Sequence, residues 1–520
     1  MVRARQRGGR FLNENFRLYK KEFKLHEVRG SRLAHMRICL ISREYPPETG
    51  WGGIGTFTHH LARGLTAQGH DVHVVSLSSS AKDAPLRGGN GEPFVHRVPS
   101  TRMAVNMGFF NFCLPVTRPM LEETTGLWTK FLELHREKAF DVLECPEHFA
   151  EGLLPSLAGV VPLVIRLHTP HSKLVKEKFH NFQPTFDHRI LTAMERVAMI
   201  SANVLVSPSE DLAGYVAKDL NLPLDRIRIV RNPVDVHKFT PEGPVADLDR
   251  DAVKILFVGR LEQRKGVHHL IDAVPLVLKA VSGRKVQFVL VGKDTKTESG
   301  NGSVLEELQT RLKENACEGS VLFIQGVPLA QMPDYYRAAD ICVLPSLYDN
   351  APMTVIEAMS CGKPVVVTAA GGAKEYALNG ECGLVVPPAE SEALAGALTK
   401  LVLDEEARKQ FGANARTRAL EKFSVEQTTH ETVELYETAR KLFVDRRASL
   451  YPGQPETLAN DLQTLIDAFE RSLYEMTYSN SLRFRVKHWK QAAQARPGEF
   501  IARALGKPLS KIRNKTGDGD

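Results

Sequence analysis

Short apolar runs alternate with amphipathic stretches along the first part of the chain. The apolar run 36–42 predicts a buried strand, and residues 56–68, with Phe57, Leu61 and Leu65 at helical spacing, predict the helix after it. Further strands are predicted at 71–77, 162–168 and 203–209. Such alternation of strands and helices is typical of a parallel, doubly wound α/β sheet.

The same alternation starts again near residue 254. Apolar runs predict the strands of a second sheet at 254–260, 286–292, 321–326, 341–346, 364–368 and 383–388. We therefore predict two Rossmann-like domains that face each other across a cleft, since open α/β sheets bind ligands beyond the carboxyl ends of their strands.

The domain junction is predicted in the polar stretch that begins with Arg231-Asn-Pro-Val-Asp. This gives an N-terminal domain over 36–231 and a C-terminal domain over 232–422. The remaining residues form two extensions, 1–35 and 446–520, which we expect to be helical.

Composition narrows the class of protein. The chain has 520 residues, of which 43% are hydrophobic and 25% charged, as expected of a soluble protein with two domains. No apolar run approaches the roughly 20 residues that cross a bilayer, and the N-terminus lacks the apolar core of a secretory signal. The seven cysteines of the chain are scattered and form no C-x-x-C pair. This argues against a zinc site and indicates a reducing compartment. A cytoplasmic location is expected.

The net charge of +7 is unevenly distributed. Residues 1–35 and 481–520 each hold ten Lys or Arg against three Asp or Glu, so the remaining residues carry a net −7. A nucleic-acid groove needs clustered positive charge, and no nucleic-acid partner is expected.

Both extensions also contain amphipathic stretches. A basic helix is predicted over 12–23 and another amphipathic helix over 458–473. Peripheral contact with an anionic membrane surface, at the inner face of the membrane, is one hypothesis. A docking helix, or residues ahead of a natural start at Met36, explains the first segment equally well.

Residues 50–55 spell G-x-G-x-x-G, the pattern of a dinucleotide-binding turn. In such a turn the first glycine directly follows the strand, and the next strand ends at an acid. Here eight residues separate Ile41 from Gly50 and the next strand ends in serines, so the nicotinamide interpretation fails both conditions. A structural loop remains an alternative. We favour a flexible loop whose Gly52 and Gly53 amides approach a ligand in the cleft.

The second half carries two groups of candidate residues, and the first is a pair of cations. Arg260 and Lys265 come just after a predicted strand, at the mouth of a helix, where they would face a diphosphate. Solvated surface charges are the alternative.

The second group is Asp349 and Glu357, which flank seven residues at the start of a helix predicted near Pro352. Glu357 lies in an apolar helix and needs a partner, and the paired hydroxyls of a ribose suit its carboxylate. Asp349 would accept hydrogen bonds from sugar hydroxyls, although an N-cap is an alternative role. The amides of Met353 and Thr354 would face phosphate.

Together these segments resemble the donor half of the retaining GT-B glycosyltransferases of family four, and the glycine loop and "LHTPH" resemble its acceptor half. The donor half carries "GRLEQRKG", the acid-x7-Glu element, "EAMSCGKPVVVT", "GGAKE" and "GLVVPP". The resemblance covers about residues 36–445, including a helix over 423–445 that returns to the first domain. It implies a GT-B fold and hexosyl transfer from a nucleotide diphosphate sugar, with retention, no metal and no other cofactor. The resemblance also implies a role in the synthesis of a polysaccharide or a glycoconjugate.

The resemblance also implies roles for single residues. Arg260 and Lys265 would neutralise the leaving diphosphate, Glu357 would hold the ribose, and Asp349 would hold the donor sugar. The catalytic set would be completed by His168, against the sugar ring. Gly53 would approach the phosphate and the acceptor.

The family pattern does not specify the substrates. The family usually has Glu where this chain has Asp349, so the donor sugar cannot be assigned, and the acceptor and the base are equally open. Glu147 and His148 follow a strand on the acceptor side and are expected acceptor contacts. A D-x-D triplet at 247–249 lies away from any strand end and is interpreted as chance. A GT-B protein that binds a nucleotide sugar without transferring it is the alternative function.

Overall fold

The protein is described by a computed structural model that covers residues 35–49, 52–78, 91–100, 114–178, 185–297 and 302–448. These residues form two parallel sheets with intervening helices, and the predicted α/β class is confirmed. The helices predicted over 12–23 and 458–473 lie outside the described residues. Within the described ranges no helix is both long and apolar enough to span a membrane.

The first sheet has seven strands. They are β1 (Arg37–Ile41), β2 (Asp71–Ser78), β3 (Phe94–Pro99), β4 (Val142–Pro146), β5 (Leu163–Arg166), β6 (Val204–Ser207) and β7 (Ile227–Ile229). Their spatial order is β3-β2-β1-β4-β5-β6-β7, with every neighbouring pair parallel. The helices that connect them are α1 (Gly53–Ala67), α2 (Thr117–Lys138), α3 (Leu153–Ala158), α4 (His171–Lys178), α5 (Phe186–Ser201) and α6 (Glu210–Asp219).

The second sheet has six strands. They are β8 (Val253–Val258), β9 (Val286–Val291), β10 (Val321–Ile324), β11 (Ile341–Leu344), β12 (Val365–Thr368) and β13 (Gly383–Val386). Their order is β10-β9-β8-β11-β12-β13, again parallel. The helices are α7 (Val267–Ala280), α8 (Val304–Glu314), α9 (Met332–Ala338), α10 (Met353–Ser360), α11 (Ala373–Ala377), α12 (Ser391–Leu403), α13 (Glu405–Lys422) and α14 (Val425–Ala448).

The strand order of each sheet reverses once, between β1 and β4 and between β8 and β11. Loops that leave neighbouring strands on either side of such a point diverge and open a crevice. The segments that follow these four strands contain most of the candidate residues predicted from the sequence. The fold therefore supplies one crevice in each half.

Helix α14 packs on the first sheet although it follows the second in the chain. The hydroxyl of Tyr436 donates to Glu144 Oε2 at 2.9 Å, and Glu144 Oε1 accepts from Arg166 Nε at 2.6 Å. The two chain crossings between the halves also meet, because the amide of Val234 donates to the carbonyl of Phe423 at 2.7 Å. The limits 36–231 and 232–422 stay predictions.

Some element boundaries differ from those predicted. Helix α1 begins at Gly53, earlier than the predicted residue 56, and α10 begins at Met353 with Pro352 as its N-cap. The edge strands β3 and β7 were not predicted. Both are incompletely buried, β3 contains the polar residues His96 and Arg97, and β7 has only three residues, so their apolar signal is weak.

Candidate functional site

Lys265, one of the two candidate cations of the donor half, forms an ion pair with a carboxylate. Lys265 Nζ lies 2.5 Å from Asp349 Oδ2, with side chains only 16% and 13% exposed. The N-cap role considered for Asp349 is wrong, because α10 has Pro352 as its N-cap and no side-chain cap bond. Asp349 is therefore placed beside a predicted catalytic lysine.

Arg260, the second cation, is paired elsewhere. Its guanidinium lies 3.2 Å from Glu262, and its side chain is 58% exposed. Glu262 also accepts from Arg264 Nη2 at 2.8 Å, and Arg264 Nη1 donates to the carbonyl of Tyr348 at 3.0 Å. Arg260 and Lys265 thus bind different carboxylates, and their convergence on a diphosphate stays a prediction.

Glu357 has a buried partner that sequence reasoning missed. The hydroxyl of Tyr336, on α9, donates to Glu357 Oε2 at 2.7 Å. Burial raises the pKa of Glu357, while this hydrogen bond and the charge of Lys238 lower it. The apolar helix α10 therefore carries an acid that is fixed on one side by a phenol.

Met353 and Thr354 form the start of the first turn of α10 and are partly buried. A small cavity borders this turn and the ends of β8 and β11. It is lined mainly by apolar side chains, among them Leu256, Val258, Leu344, Tyr336 and Thr354. Thr354 and the partner of Glu357 thus share one cavity, and the role of the two first-turn amides toward phosphate stays a prediction.

His168 follows β5 in the first half and is held by its backbone. Its amide donates to both oxygens of Glu147 at 2.8 and 2.9 Å, and the next amide, of Thr169, donates to Oε1 at 2.6 Å. Its ring meets that of Phe57 edge-on at 5.3 Å. Burial, and then the charge of Arg166, lowers the pKa of His168 to about 3. The imidazole is therefore neutral near pH 7.

One side chain of the second half reaches His168. Asn350 Nδ2 donates to the His168 carbonyl at 2.6 Å, and Asn350 Oδ1 accepts from the hydroxyl of Ser209. The two halves also approach closely beside this bond, because a Cβ on Gly372 in the second half would lie 2.5 Å from Ser209 Cβ in the first half. Because Asn350 follows Asp349 in the chain, the two halves meet where the candidate residues of both are found.

Glu147 does not occupy the position expected of an acceptor contact. It has no exposed surface, its oxygens are taken by the amides beside His168, and burial raises its pKa to about 7. We correct its role to that of an anchor for the His168 loop. His148 is partly buried, with its ring 3.8 Å from that of Phe149, and its acceptor role stays a prediction.

The glycine loop also differs from expectation. A Cβ on Gly52 would lie 2.2 Å from Glu44 Oε2, and the Glu44 carboxylate accepts from the amide of Gly55. A larger residue at position 52 would therefore have to displace the Glu44 carboxylate of the same loop. A Cβ on Gly53 would meet nothing within 4 Å, so the described protein leaves space beside this residue.

A protein site for a metal ion would need several carboxylate, histidine or cysteine ligands close together. Across the described residues, no three of the His, Cys, Asp and Glu side chains are grouped in a way that could hold one. Asp249, from the D-x-D triplet, instead pairs with Lys285 at 2.7 Å.

Two sequence families match consecutive parts of the chain. The family described as Glycosyltransferase Family 4 matches residues 51–238, and the family described as Glycosyl transferases group 1 matches residues 244–418. The chain belongs to glycosyltransferase family 4. The family expected from the combined motifs is thus confirmed.

This family 4 glycosyltransferase resembles known proteins along most of its length. An uncharacterized glycosyltransferase of Methanocaldococcus jannaschii is 24% identical over 428 residues, which cover 78% of this chain and 99% of that one. Sucrose-phosphate synthase of Thermosynechococcus elongatus has a TM-score of 0.62 at 21% identity, with 78% and 99% of the chains covered. Anabaena HepE in complex with UDP and glucose has a TM-score of 0.58 at 20% identity, with 78% and 100% covered. The structural similarities confirm the GT-B fold.

A further contact of the family 4 chain crosses between the halves. Glu375 accepts from the amides of Glu210 and Asp211 at 2.8 Å, and Arg231 Nη1 donates to it at 2.5 Å. A carboxylate at the first turn of α6 is stabilised by the helix dipole. The motif "GGAKE" was singled out in the sequence, but nothing local assigns Glu375 this role.

Proposed function

We propose that this glycosyltransferase transfers a hexose from a nucleotide diphosphate sugar to an acceptor hydroxyl, with retention of configuration and without a metal ion. One observation carries the proposal. The hydrogen bond from Asn350 to the His168 carbonyl joins the donor-side acid Asp349 to the acceptor half. A single site that spans both halves can bring a donor and an acceptor together.

The donor side follows from the second half. The relative HepE was solved with UDP and glucose, which supports a nucleoside diphosphate as the leaving group. Glu357 would accept the ribose hydroxyls, and the amides of Met353 and Thr354 would face the phosphates. Asp349, once released by Lys265, would accept hydroxyls of the donor sugar.

The transfer reaction depends on electrostatic stabilisation of the leaving group more than on covalent catalysis. The bond between the anomeric carbon and the diphosphate oxygen breaks, and negative charge develops on the diphosphate. Lys265 and Arg260 are the cations that would meet this charge. The acceptor oxygen bonds to the anomeric carbon on the face that the leaving group vacates, and its proton passes to a phosphate oxygen. Attack on that face retains the configuration.

His168 would lie against the sugar ring as a neutral group. Its pKa of about 3 means that it exchanges hydrogen bonds with sugar hydroxyls without adding positive charge. Positive charge at the sugar would oppose the cationic character that the anomeric carbon gains as the leaving group departs.

The assignment is tested by donor hydrolysis, which needs no identified acceptor. We expect Lys265→Ala and Glu357→Ala each to abolish release of the nucleoside diphosphate while the circular dichroism spectrum is unchanged. Lys285→Ala, at a lysine whose side chain is 62% exposed, serves as the control. Treatment with EDTA should leave the rate unchanged. Near-native turnover of either active-site variant would remove the site assignment, and binding without any turnover would favour a non-catalytic sensor.

Membrane contact is a separate part of the proposal. It is supported by the two basic ends of the sequence, each with a net charge of +7. We expect the full chain to sediment with vesicles that contain anionic lipid and not with neutral vesicles. Equal sedimentation with both would remove this part, and with it the support for a location at the inner membrane face.

A further inference from the structure

We propose that Tyr336 positions the Glu357 carboxylate for the ribose of the donor and thereby sets the preference for ribose over 2′-deoxyribose. The inference rests on the proposed function, in which Glu357 is the ribose-binding residue. Tyr336 acts through Glu357 and is a positioning residue.

The contact between the two residues is tightly held. Tyr336 Oη donates to Glu357 Oε2 at 2.7 Å, and Tyr336 is only 1% exposed. Its ring packs edge-on against that of Phe239, with centroids 5.8 Å apart and an angle of 69°. A buried phenol needs a hydrogen-bond partner, so moving Glu357 away would leave the hydroxyl unsatisfied. The pair is therefore fixed in one arrangement.

The hydrogen bond from Tyr336 leaves acceptor positions of the Glu357 carboxylate available to a ligand. A carboxylate has about four acceptor positions, and Tyr336 uses one of them on Oε2. The free positions on Oε1 and Oε2 can accept two neighbouring hydroxyls, as a ribose presents them. Tyr336 also lines the small apolar cavity beside Thr354, so the phenol contacts Glu357 close to the first turn of α10, whose amides we assign to the phosphates.

The Tyr336 hydroxyl helps to keep the Glu357 carboxylate ionised. Among the described residues, three titratable groups interact with this carboxylate: Tyr336 from α9, Lys238 from the segment between the sheets, and Cys361 after α10. Burial raises the pKa of Glu357, whereas Tyr336 and Lys238 lower it. Burial also raises the pKa of Cys361 to about 12, so that this thiol stays neutral. Without the phenolic hydroxyl the pKa of Glu357 rises further, and a protonated carboxyl loses an acceptor position.

The test compares Tyr336→Phe with Tyr335→Phe in the full chain. Tyr335 is the neighbouring tyrosine, partly buried against the hydrophobic core, and provides the matched control. Isothermal titration measures the Kd of UDP, ADP and GDP and of their 2′-deoxy forms. We expect the wild type to bind one ribonucleotide at least about tenfold more tightly than its deoxy form, because the analogue leaves Glu357 unpaired. Tyr336→Phe should reduce this ratio to about threefold or less, whereas Tyr335→Phe preserves it.

Lowering the pH adds a second readout. As the pH is lowered, the ribonucleotide affinity of Tyr336→Phe should fall at a higher pH than that of the wild type, because the pKa of Glu357 is higher in the variant. Equal weakening of ribo and deoxy binding, with the wild-type ratio and pH profile retained, would show that the ring only fills space and would overturn the inference.

Glu357→Gln separates this inference from the proposed function. If Glu357→Gln keeps the wild-type preference for ribose, or if none of the three nucleotides binds, the proposed role of Glu357 fails and the inference fails with it. If Glu357→Gln loses the preference and Tyr336→Phe keeps it, only the inference fails. Melting temperatures of both variants verify that they fold.

Discussion

Two pairs of acidic residues, one pair in each half of the molecule, are held in different ways. In the first half, Glu147 binds the amides of the His168 loop, and Glu195 binds the amides of Phe149 and His171 at 3.0 and 2.7 Å. In the second half, Asp349 and Glu357 bind side chains, a lysine and a tyrosine. Backbone amides cannot rotate away, whereas the flexible side chain of Lys265 can exchange Asp349 for a ligand. Glu147 and Glu195 therefore belong to a fixed frame, and Lys265 is a group that a ligand can recruit.

The electrostatic cost of burial differs between the two amide-bound acids and Asp349. Burial raises the pKa of Glu147 to about 7 and that of Glu195 well above its ordinary value, because backbone dipoles compensate a buried charge only in part. Lys265 supplies a full positive charge to Asp349. This lysine is also the group that we assign to the leaving diphosphate. The same cation would thus stabilise Asp349 and take part in catalysis.

The largest effect is expected when Glu147, which anchors the His168 loop in the first half, is removed. Glu147→Ala leaves the amides of His168 and Thr169 buried without their acceptor. We expect a loss of about 3 kcal/mol in the free energy of unfolding, measured with urea, and a large loss of donor hydrolysis. Glu392→Ala, in the first turn of α12, is the control. Full activity and stability of Glu147→Ala would contradict the anchoring role.

The connection between the halves is tested at Asn350. Asn350→Ala removes the bond to the His168 carbonyl, so donor hydrolysis should fall about tenfold while the Kd of the nucleoside diphosphate changes little. Asn315→Ala removes a similar bond, at 2.8 Å to the carbonyl of Arg311, but in an exposed position, and should have no effect. A Kd that weakens as much as the rate falls would assign Asn350 to donor binding instead.

A smaller effect is expected at the ion pairs of Arg231. Glu375 is 13% exposed and 2.5 Å from Arg231, whereas Glu210 is 75% exposed and 3.6 Å away. Glu375→Gln should lower the free energy of unfolding by about 1–2 kcal/mol, and Glu210→Gln by less than about 0.5 kcal/mol. Equal losses in the two variants, measured by chemical denaturation, would show that burial does not distinguish these pairs.

The smallest expected effect is on the pH dependence of stability. The pKa of Glu147 is about 7 in the fold against an ordinary value of 4.5, so between these values the folded chain keeps a proton that the unfolded chain has released. Its contribution to stability is therefore lost as the pH rises toward 7 and beyond. The melting temperature should increase from pH 8 to about 6.5, and less so in Glu147→Gln.

The histidines act in the opposite direction and limit this gain. Burial lowers the pKa of His168 to about 3 and that of His171 to about 4, against an ordinary value of 6.5. Below about pH 6.5 the unfolded chain therefore binds more protons, and stability falls on further acidification. A melting temperature that stays constant in Glu147→Gln and in the wild type between pH 8 and 6.5 would contradict the assignment of a raised pKa.

Most candidate positions could be predicted because their signals are local. Arg260, Lys265 and Asp349 follow apolar runs, and the carboxyl ends of parallel strands are where such a fold binds ligands. Glu357 was identified as a polar residue in an apolar helix. Its partner could not be named, because Tyr336 lies 21 residues away on another helix. The role of Glu147 was missed because residue type and position do not report burial.

The amino-acid sequence alone determined most of the elements, their α/β class and the family, because apolar periodicity and short motifs act over a few neighbouring residues. Only the tertiary structure decided which polar groups are paired. Lys265 and Asp349 are 84 residues apart, and Asn350 and His168 are 182 residues apart. Such pairs form because burial makes an unsatisfied charge or amide expensive, and which groups become neighbours depends on how the two sheets pack.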